Sequence, residues 1–217
     1  MAKEQTGRLR SLQVGKPAAY QWGGKEFSTG MGKHPAEGRL FLTVEGYAED
    51  GQADRVNHGG PDKAVCVYGF EHYAFWEKEL GQTLDSAAFG ENVTMEGLTE
   101  QEVRIGDIFR MGEALVQVSQ PRQPCYKLGH KYNRADMPLL VQTTGYTGYY
   151  FRVLEEGFTA PGDQVVLVEQ SPSGISVAEA NRIMYTAKDN KAETARLLAV
   201  PELSRSWRDT LAKRLRK

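Results

Sequence analysis

What most constrains the fold of this chain is its punctuation. Through the first 170 residues, short apolar or alternating runs are cut repeatedly by glycine, proline, asparagine or aspartate. Arg8-Leu9-Arg10-Ser11-Leu12-Gln13-Val14 alternates polar and apolar positions, as a strand with one buried face should. Leu40-Phe41-Leu42-Thr43-Val44 and Ala64-Val65-Cys66-Val67-Tyr68 are short β-branched or aromatic runs. Gly-Asp turns launch two more, Ile105-Gly106-Asp107-Ile108-Phe109-Arg110 and Pro161-Gly162-Asp163-Gln164-Val165-Val166-Leu167-Val168, with Ala114-Leu115-Val116-Gln117-Val118 between them. Many short strands at this spacing suit a closed or strongly curved β-barrel, which removes sheet edges. One helix is expected to interrupt it, over residues 69–80, with Tyr73, Trp76, Glu77 and Leu80 at helical spacing and Gly81 as C-cap. His72 then falls on an exposed helical surface.

After Gln170-Ser171-Pro172-Ser173-Gly174 the pattern changes to helices. Ser176-Val177-Ala178-Glu179 is a capping box that opens a helix through about Tyr185. A second helix is expected through Ala192 to Leu198, and in a third Leu203, Trp207, Leu211 and Leu215 form a stripe that must pack on something. The sequence therefore reads as a barrel domain over residues 1–170 and a three-helix domain over 171–217, which should lean on the barrel or on a second copy of the chain. Charge follows the same boundary. Residues 171–217 hold ten Lys or Arg against five Asp or Glu, a net of +5, so with −1 overall residues 1–170 carry −6.

Composition excludes several classes. The apolar runs of this 217-residue chain fall short of the roughly 20 residues that span a bilayer. Met1-Ala2-Lys3-Glu4-Gln5 leads into no apolar segment, so no export signal and no membrane association are expected. Two cysteines make no disulfide framework and imply reduced thiols in the cytoplasm. The near-neutral charge argues against nucleic-acid binding. Four histidines show no zinc-type spacing, and there is no Gly-x-Ser-x-Gly elbow.

Chemistry concentrates at three places. In Gln120-Pro121-Arg122-Gln123-Pro124-Cys125-Tyr126-Lys127, two prolines stiffen the backbone that presents Cys125. Arg122 and Lys127 are near enough in sequence to favour the thiolate, the form that attacks electrophiles and ligates soft metals. In Asp54-Arg55-Val56-Asn57-His58-Gly59-Gly60-Pro61-Asp62-Lys63, two glycines allow close backbone approach, and Arg55, His58 and Lys63 could hold an anion. Taken alone the segment reads first as a polar turn before the Ala64 strand. Lys33, in a glycine-rich run, and Asn92, in Phe89-Gly90-Glu91-Asn92, are further candidates. Cys66, inside an apolar strand, reads as inert packing.

Residues 57–64, Phe89-Gly90-Glu91-Asn92, Ile105-Gly106-Asp107 and the Gln120–Cys125 stretch together resemble, in order and spacing, the MOSC domain, and within it the bacterial YiiM-like branch. The helical tail is similar to that branch's C-terminal α-domain. No motif maps onto Arg134–Tyr150, so nothing is transferred there. The resemblance implies a mainly β fold with α, a MOSC-type β-barrel followed by a three-helix domain. It implies a bound molybdenum cofactor (molybdopterin), with Cys125 as molybdenum ligand and Lys33, Asn57, His58, Asn92 and Arg122 around the cofactor. It also implies reduction of N-hydroxylated bases such as 6-hydroxylaminopurine; His58, with a reference pKa of about 6.5 near working pH, is the candidate proton donor, and a phosphate ligand or a structural turn residue would read the same in sequence.

Two other readings remain open on sequence. Cys125 could carry a persulfide and transfer sulfur in molybdenum-cofactor metabolism. A non-enzymatic anion-binding barrel would use Lys33, His58 and Arg122 and have no need of Cys125. A reductase would need an electron-donor protein, because the chain shows no flavin or iron–sulfur motif. The +5 tail could dock an acidic donor or support a homodimer.

Overall fold

Strand β1 (Thr6–Val14) buries Leu9 and Leu12 completely while Arg8 and Arg10 face solvent, the alternation its sequence requires. In the computed structural model, which describes residues 5–54 and 58–216, six further strands close a barrel around it. These are β7 (Val65–Gly69), β8 (Val93–Glu96), β9 (Ile108–Met111), β10 (Ala114–Pro121), β11 (Tyr149–Glu155) and β13 (Gln164–Glu169). The order is β13-β9-β10-β11-β7-β8-β1, with β1 pairing back onto β13. Neighbours are antiparallel except β7 and β8, which run parallel. A register shift between Leu9 and Ser11 bends β1, and β4 (His34–Pro35) pairs with its far end.

Leu40–Val44 does form a strand, but outside the barrel. There β5 (Leu40–Thr43) pairs with β6 (Gly46–Tyr47) and β12 (Gly157–Thr159) in a separate three-stranded sheet. A hairpin of β2 (Ala18–Trp22) and β3 (Lys25–Thr29) stands apart as well.

Among the described residues, three helices rather than one interrupt the barrel sequence. The expected α1 (Tyr73–Leu80) ends at Gly81 with φ 66°, a left-handed C-cap. The other two are α2 (Lys127–Lys131), directly after the cysteine stretch, and α3 (Met137–Thr144), in the stretch without a motif. They are too short to show a periodicity of their own. Tertiary packing specifies them, with Leu128, Met137 and Val141 closing a second apolar cluster around Tyr68, Trp76 and Phe89. His72 corrects its expected exposure. It sits in the tight turn Phe70–His72 ahead of α1, is 6% exposed, stacks on Tyr146 with ring centroids 3.9 Å apart, and its Nε2 lies 2.6 Å from Glu100 Oε2.

The C-terminal helices are α4 (Val177–Tyr185), α5 (Lys191–Leu198) and α6 (Arg205–Leu215). Ser176 caps α4 by accepting the Glu179 amide at 3.0 Å, as the capping box requires. Ile183, Leu197, Leu203, Trp207 and Leu211 join one continuous apolar cluster with barrel residues such as Val103, Ile105 and Val118. The stripe on α6 therefore packs within its own chain. Among the described residues, no helix is long and apolar enough to cross a membrane.

Candidate functional site

Strand β10 ends at Pro121, paired with Tyr149 of β11. One further sheet-like bond, from the Arg122 amide to the Gly148 carbonyl at 3.0 Å, holds the next residue at the barrel's end. Gly148 has φ 71°, and a Cβ there would lie 2.2 Å from the Val67 carbonyl oxygen, so only glycine lets β11 and β7 approach this closely. The chain then turns into α2, and the Leu128 amide donates to the Cys125 carbonyl at 3.0 Å. Arg122 is thus placed by the sheet and Cys125 by the first turn of a helix.

Both face one pocket of about 650 Å³, counting its open mouth. Lys33, His58, Lys63, Asn92 and Lys127 line it as well, so five of the six site residues named from sequence converge there. Asn57, the sixth, lies outside the described residues. Cys125 is partly exposed. Lys127 lines the wall beside it and donates to the Ser28 carbonyl at 2.8 Å, tying α2 to β3.

The converging residues are not equivalent. Arg122 is 5% exposed, and its Nη2 donates to the Phe89 carbonyl at 2.6 Å. Its Nη1 is buried and has no partner among the described residues. An unpaired buried donor costs about 1–3 kcal/mol, more when charged, and an oxyanion in the pocket would relieve that cost. Lys33 is ion-paired with Asp50, and both side chains are nearly closed off from solvent. Asn92 is spent on structure. Its Oδ1 accepts the Cys66 amide at 3.1 Å, and its Nδ2 donates to Asp50 Oδ2 at 2.8 Å and to the Gln13 carbonyl at 3.3 Å. Glu91, beside it, accepts the Phe89 amide at 3.0 Å and so shapes the turn that receives Arg122.

Burial and the nearby Arg122 charge hold the His58 imidazole below its usual pKa of 6.5, with Lys63 and Lys127 adding to the effect and Asp54 opposing it. Burial also lowers the Lys63 ammonium. An anion in the pocket would favour the charged form of both groups.

Three lining residues escaped the sequence reading. Asp50 neutralises Lys33 and accepts the Gly15 amide at 2.9 Å, yet nothing in its surroundings marks it as buried. Tyr150 closes the stretch where no motif maps, but it is 7% exposed and lines the pocket. Its place on β11 opposite Cys66 could have been read from strand pairing alone. Cys66 is buried as expected, and burial raises its thiol to about 11, offset by Arg122. It is also part of the pocket wall, paired in register with Tyr150 of β11.

A closed seven-strand barrel with a cysteine and a buried arginine at one rim, followed by three helices, defines the chain as a MOSC-type protein. The MOSC domain model matches residues 54–166, and the YiiM-like 3-alpha helix domain model matches residues 175–217. The chain belongs to the MOSC family, a domain family of molybdenum-cofactor type, and within it to the YiiM-like branch. It is 52% identical over 212 residues to YflK of Bacillus subtilis (strain 168), covering 98% of this chain and 96% of that one. The crystal structure of YiiM from Geobacillus stearothermophilus superposes with a TM-score of 0.83 at 41% identity, covering 96% of this chain and 99% of the other. A protein named as a reductase in Gibberella moniliformis (strain M3125 / FGSC 7600) is 31% identical over 182 residues, 82% of this chain but 32% of its own length.

Proposed function

We propose that the chain is a molybdenum-cofactor-dependent reductase of N-hydroxylated bases and related N-hydroxylated compounds. The observation that carries this reading is Arg122 Nη1, buried without an acceptor in the pocket that also holds the partly exposed Cys125 thiol. One rim thus offers a site for an anionic group and a soft ligand for a soft metal, the two things a molybdenum–pterin phosphate requires. The residues present fit the group.

On this reading Cys125 ligates the metal, while Arg122 and His58 hold the phosphate. Lys33 contributes through its pair with Asp50, as wall more than as free charge. Asn92 acts one step back, by fixing Cys66 and Asp50. When bound, the cofactor would supply the two electrons for N–O cleavage. The overall change takes an N-hydroxylamine, two electrons and two protons to the amine and water. Burial and Arg122 disfavour the charged His58 imidazole, and an anion in the pocket would favour it, so His58 would serve as proton donor in the loaded site. A separate donor protein supplies the electrons.

The test is reduction of 6-hydroxylaminopurine by the purified protein with a reduced viologen dye as donor. Adenine formation by the wild type and its loss in Cys125→Ser are expected. A wild type that carries the cofactor and forms no adenine overturns the assignment.

A further inference from the structure

The mechanism leaves unused a buried polar pair and the pocket it lines. A second pocket of about 1080 Å³, counting its open mouth, lies between the barrel, α3 and α4, and His72, Glu100, Tyr146 and Asn181 are among its walls. Three of these are polar and almost wholly buried, His72 at 6%, Glu100 at 3% and Asn181 at 3% exposed. All three lead to Gly148. Glu100 Oε1 accepts the Gly148 amide at 2.6 Å, and its Oε2 is held by His72 Nε2, also at 2.6 Å. The Gly148 carbonyl accepts the Thr147 hydroxyl at 2.8 Å, and Thr147 Oγ1 accepts Asn181 Nδ2 at 2.8 Å. The same carbonyl accepts the Arg122 amide at 3.0 Å. Helix α4 secures both routes, because Asn181 belongs to it and its Ala178 amide donates to the Glu100 carbonyl at 2.8 Å.

We propose that Glu100, oriented by His72, is a positioning residue for Arg122 and acts through Gly148, an inference that rests on the anion-binding part of the reductase reading. Gly148 must be glycine to lie beside Val67 at φ 71°, and glycine is the least constrained of residues, so its own geometry cannot fix the carbonyl that seats Arg122. A carboxylate on its amide and a hydroxyl on its carbonyl can. Stability alone does not explain these groups. A buried ionisable pair can often be replaced by apolar residues without loss of stability. Asn181 Oδ1 is moreover buried without a partner among the described residues, a cost that an apolar side chain would avoid. What the groups fix is the starting point of the Arg122 side chain, whose Nη2 reaches the Phe89 carbonyl while Nη1 stays unpaired.

Calorimetric binding of inorganic phosphate to the full-length protein, purified from a host that makes no molybdenum cofactor, tests this. Wild type, Glu100→Ala, Glu100→Gln and Arg122→Met are compared, with Glu100→Ala also made in the Arg122→Met background. Glu100→Ala should weaken phosphate binding about tenfold, the order of one charge-assisted hydrogen bond. Glu100→Gln, which keeps an acceptor for the Gly148 amide, should retain near wild-type affinity. In the Arg122→Met background Glu100→Ala should cause no further loss of affinity, although it lowers the melting temperature there as it does in wild type. Wild-type affinity in Glu100→Ala, or an equal loss in both backgrounds, overturns the proposal. Should Glu100→Ala not fold, Thr147→Val, which removes the hydroxyl from the Gly148 carbonyl, takes its place with the same expected and overturning results. Wild type that binds no phosphate, or an affinity that survives Arg122→Met, sinks the anion site itself, whereas Arg122 dependence without Glu100 dependence sinks only the positioning role.

Discussion

Asp62 Oδ2 accepts the backbone amide of Arg205 at 2.9 Å, while Asp62 Oδ1 accepts from Nε and Nη2 of Arg152 at 3.1 and 2.8 Å. Arg205 is the first residue of α6, and Asp62 belongs to the turn Pro61–Lys63, adjoining the pocket-lining Lys63 and His58. The C-terminal helices therefore support the pocket's loop through one carboxylate. Arg205→Pro isolates this contact. Proline suits the first position of a helix, and the preceding Ser204 already has an extended ψ of 151°, so the substitution removes little beyond the amide donor. Urea denaturation should show a loss of about 1 kcal/mol for Arg205→Pro and about 1.5–3 kcal/mol for Asp62→Ala, which also strands Arg152. A smaller loss in Asp62→Ala than in Arg205→Pro would contradict this arrangement.

Lys33→Met tests whether Lys33 is wall or ligand. Its partner Asp50 is buried, and removing one member of a buried pair costs about 3–5 kcal/mol because the other charge is left uncompensated. Thermal and chemical unfolding should register a loss of that order. A variant of near wild-type stability that no longer binds phosphate would mean that Lys33 holds the anion directly.

Gly148→Ala combines a left-handed backbone, costing roughly 1–2 kcal/mol, with a Cβ 2.2 Å from the Val67 carbonyl. The clash adds about 1–3 kcal/mol and disturbs the bond that seats Arg122. The expected result is a destabilised protein whose phosphate affinity falls with its stability. Full stability would show that β7 and β11 are not this close.

His58 gives a pH signature. Its folded-state pKa lies below 6.5, so below pH 6.5 the unfolded chain takes up a proton that the folded chain refuses. Stability from this group is complete above pH 6.5 and is lost as pH falls toward the folded-state value. The stability of wild type relative to His58→Gln should therefore decline on acidification below pH 6.5. Phosphate, which favours the protonated imidazole, should bind wild type more tightly over the same interval. A stability difference independent of pH would rule out a buried, depressed His58.

The barrel was legible because its strands carry their own alternation and turn residues: β1, β7, β9, β10 and β13 fall where Leu9, Val65, Ile108, Val116 and Val165 put them. The capping box at Ser176 and the stripe ending in Trp207 and Leu211 likewise marked the C-terminal helices. What escaped is set by contacts distant in sequence. Nothing near Asp50 announces that Lys33 and Asn92 will meet it, and α2 and α3 exist because Leu128 and Met137 find Phe89 and Trp76. His72 was misplaced for the same reason, since Glu100 and Tyr146 draw it inward. At the site, local chemistry singled out Cys125, His58 and Arg122, but only the folded pocket separates Arg122, with an unpaired nitrogen, from Asn92, whose amide is fully used.

Molybdenum content per chain, determined on protein freshly purified from a cofactor-competent host, decides whether Cys125 holds the metal. Close to one equivalent is expected in the wild type and none in Cys125→Ser of equal stability. Metal-free wild type, or Cys125→Ser that keeps its molybdenum, would contradict it.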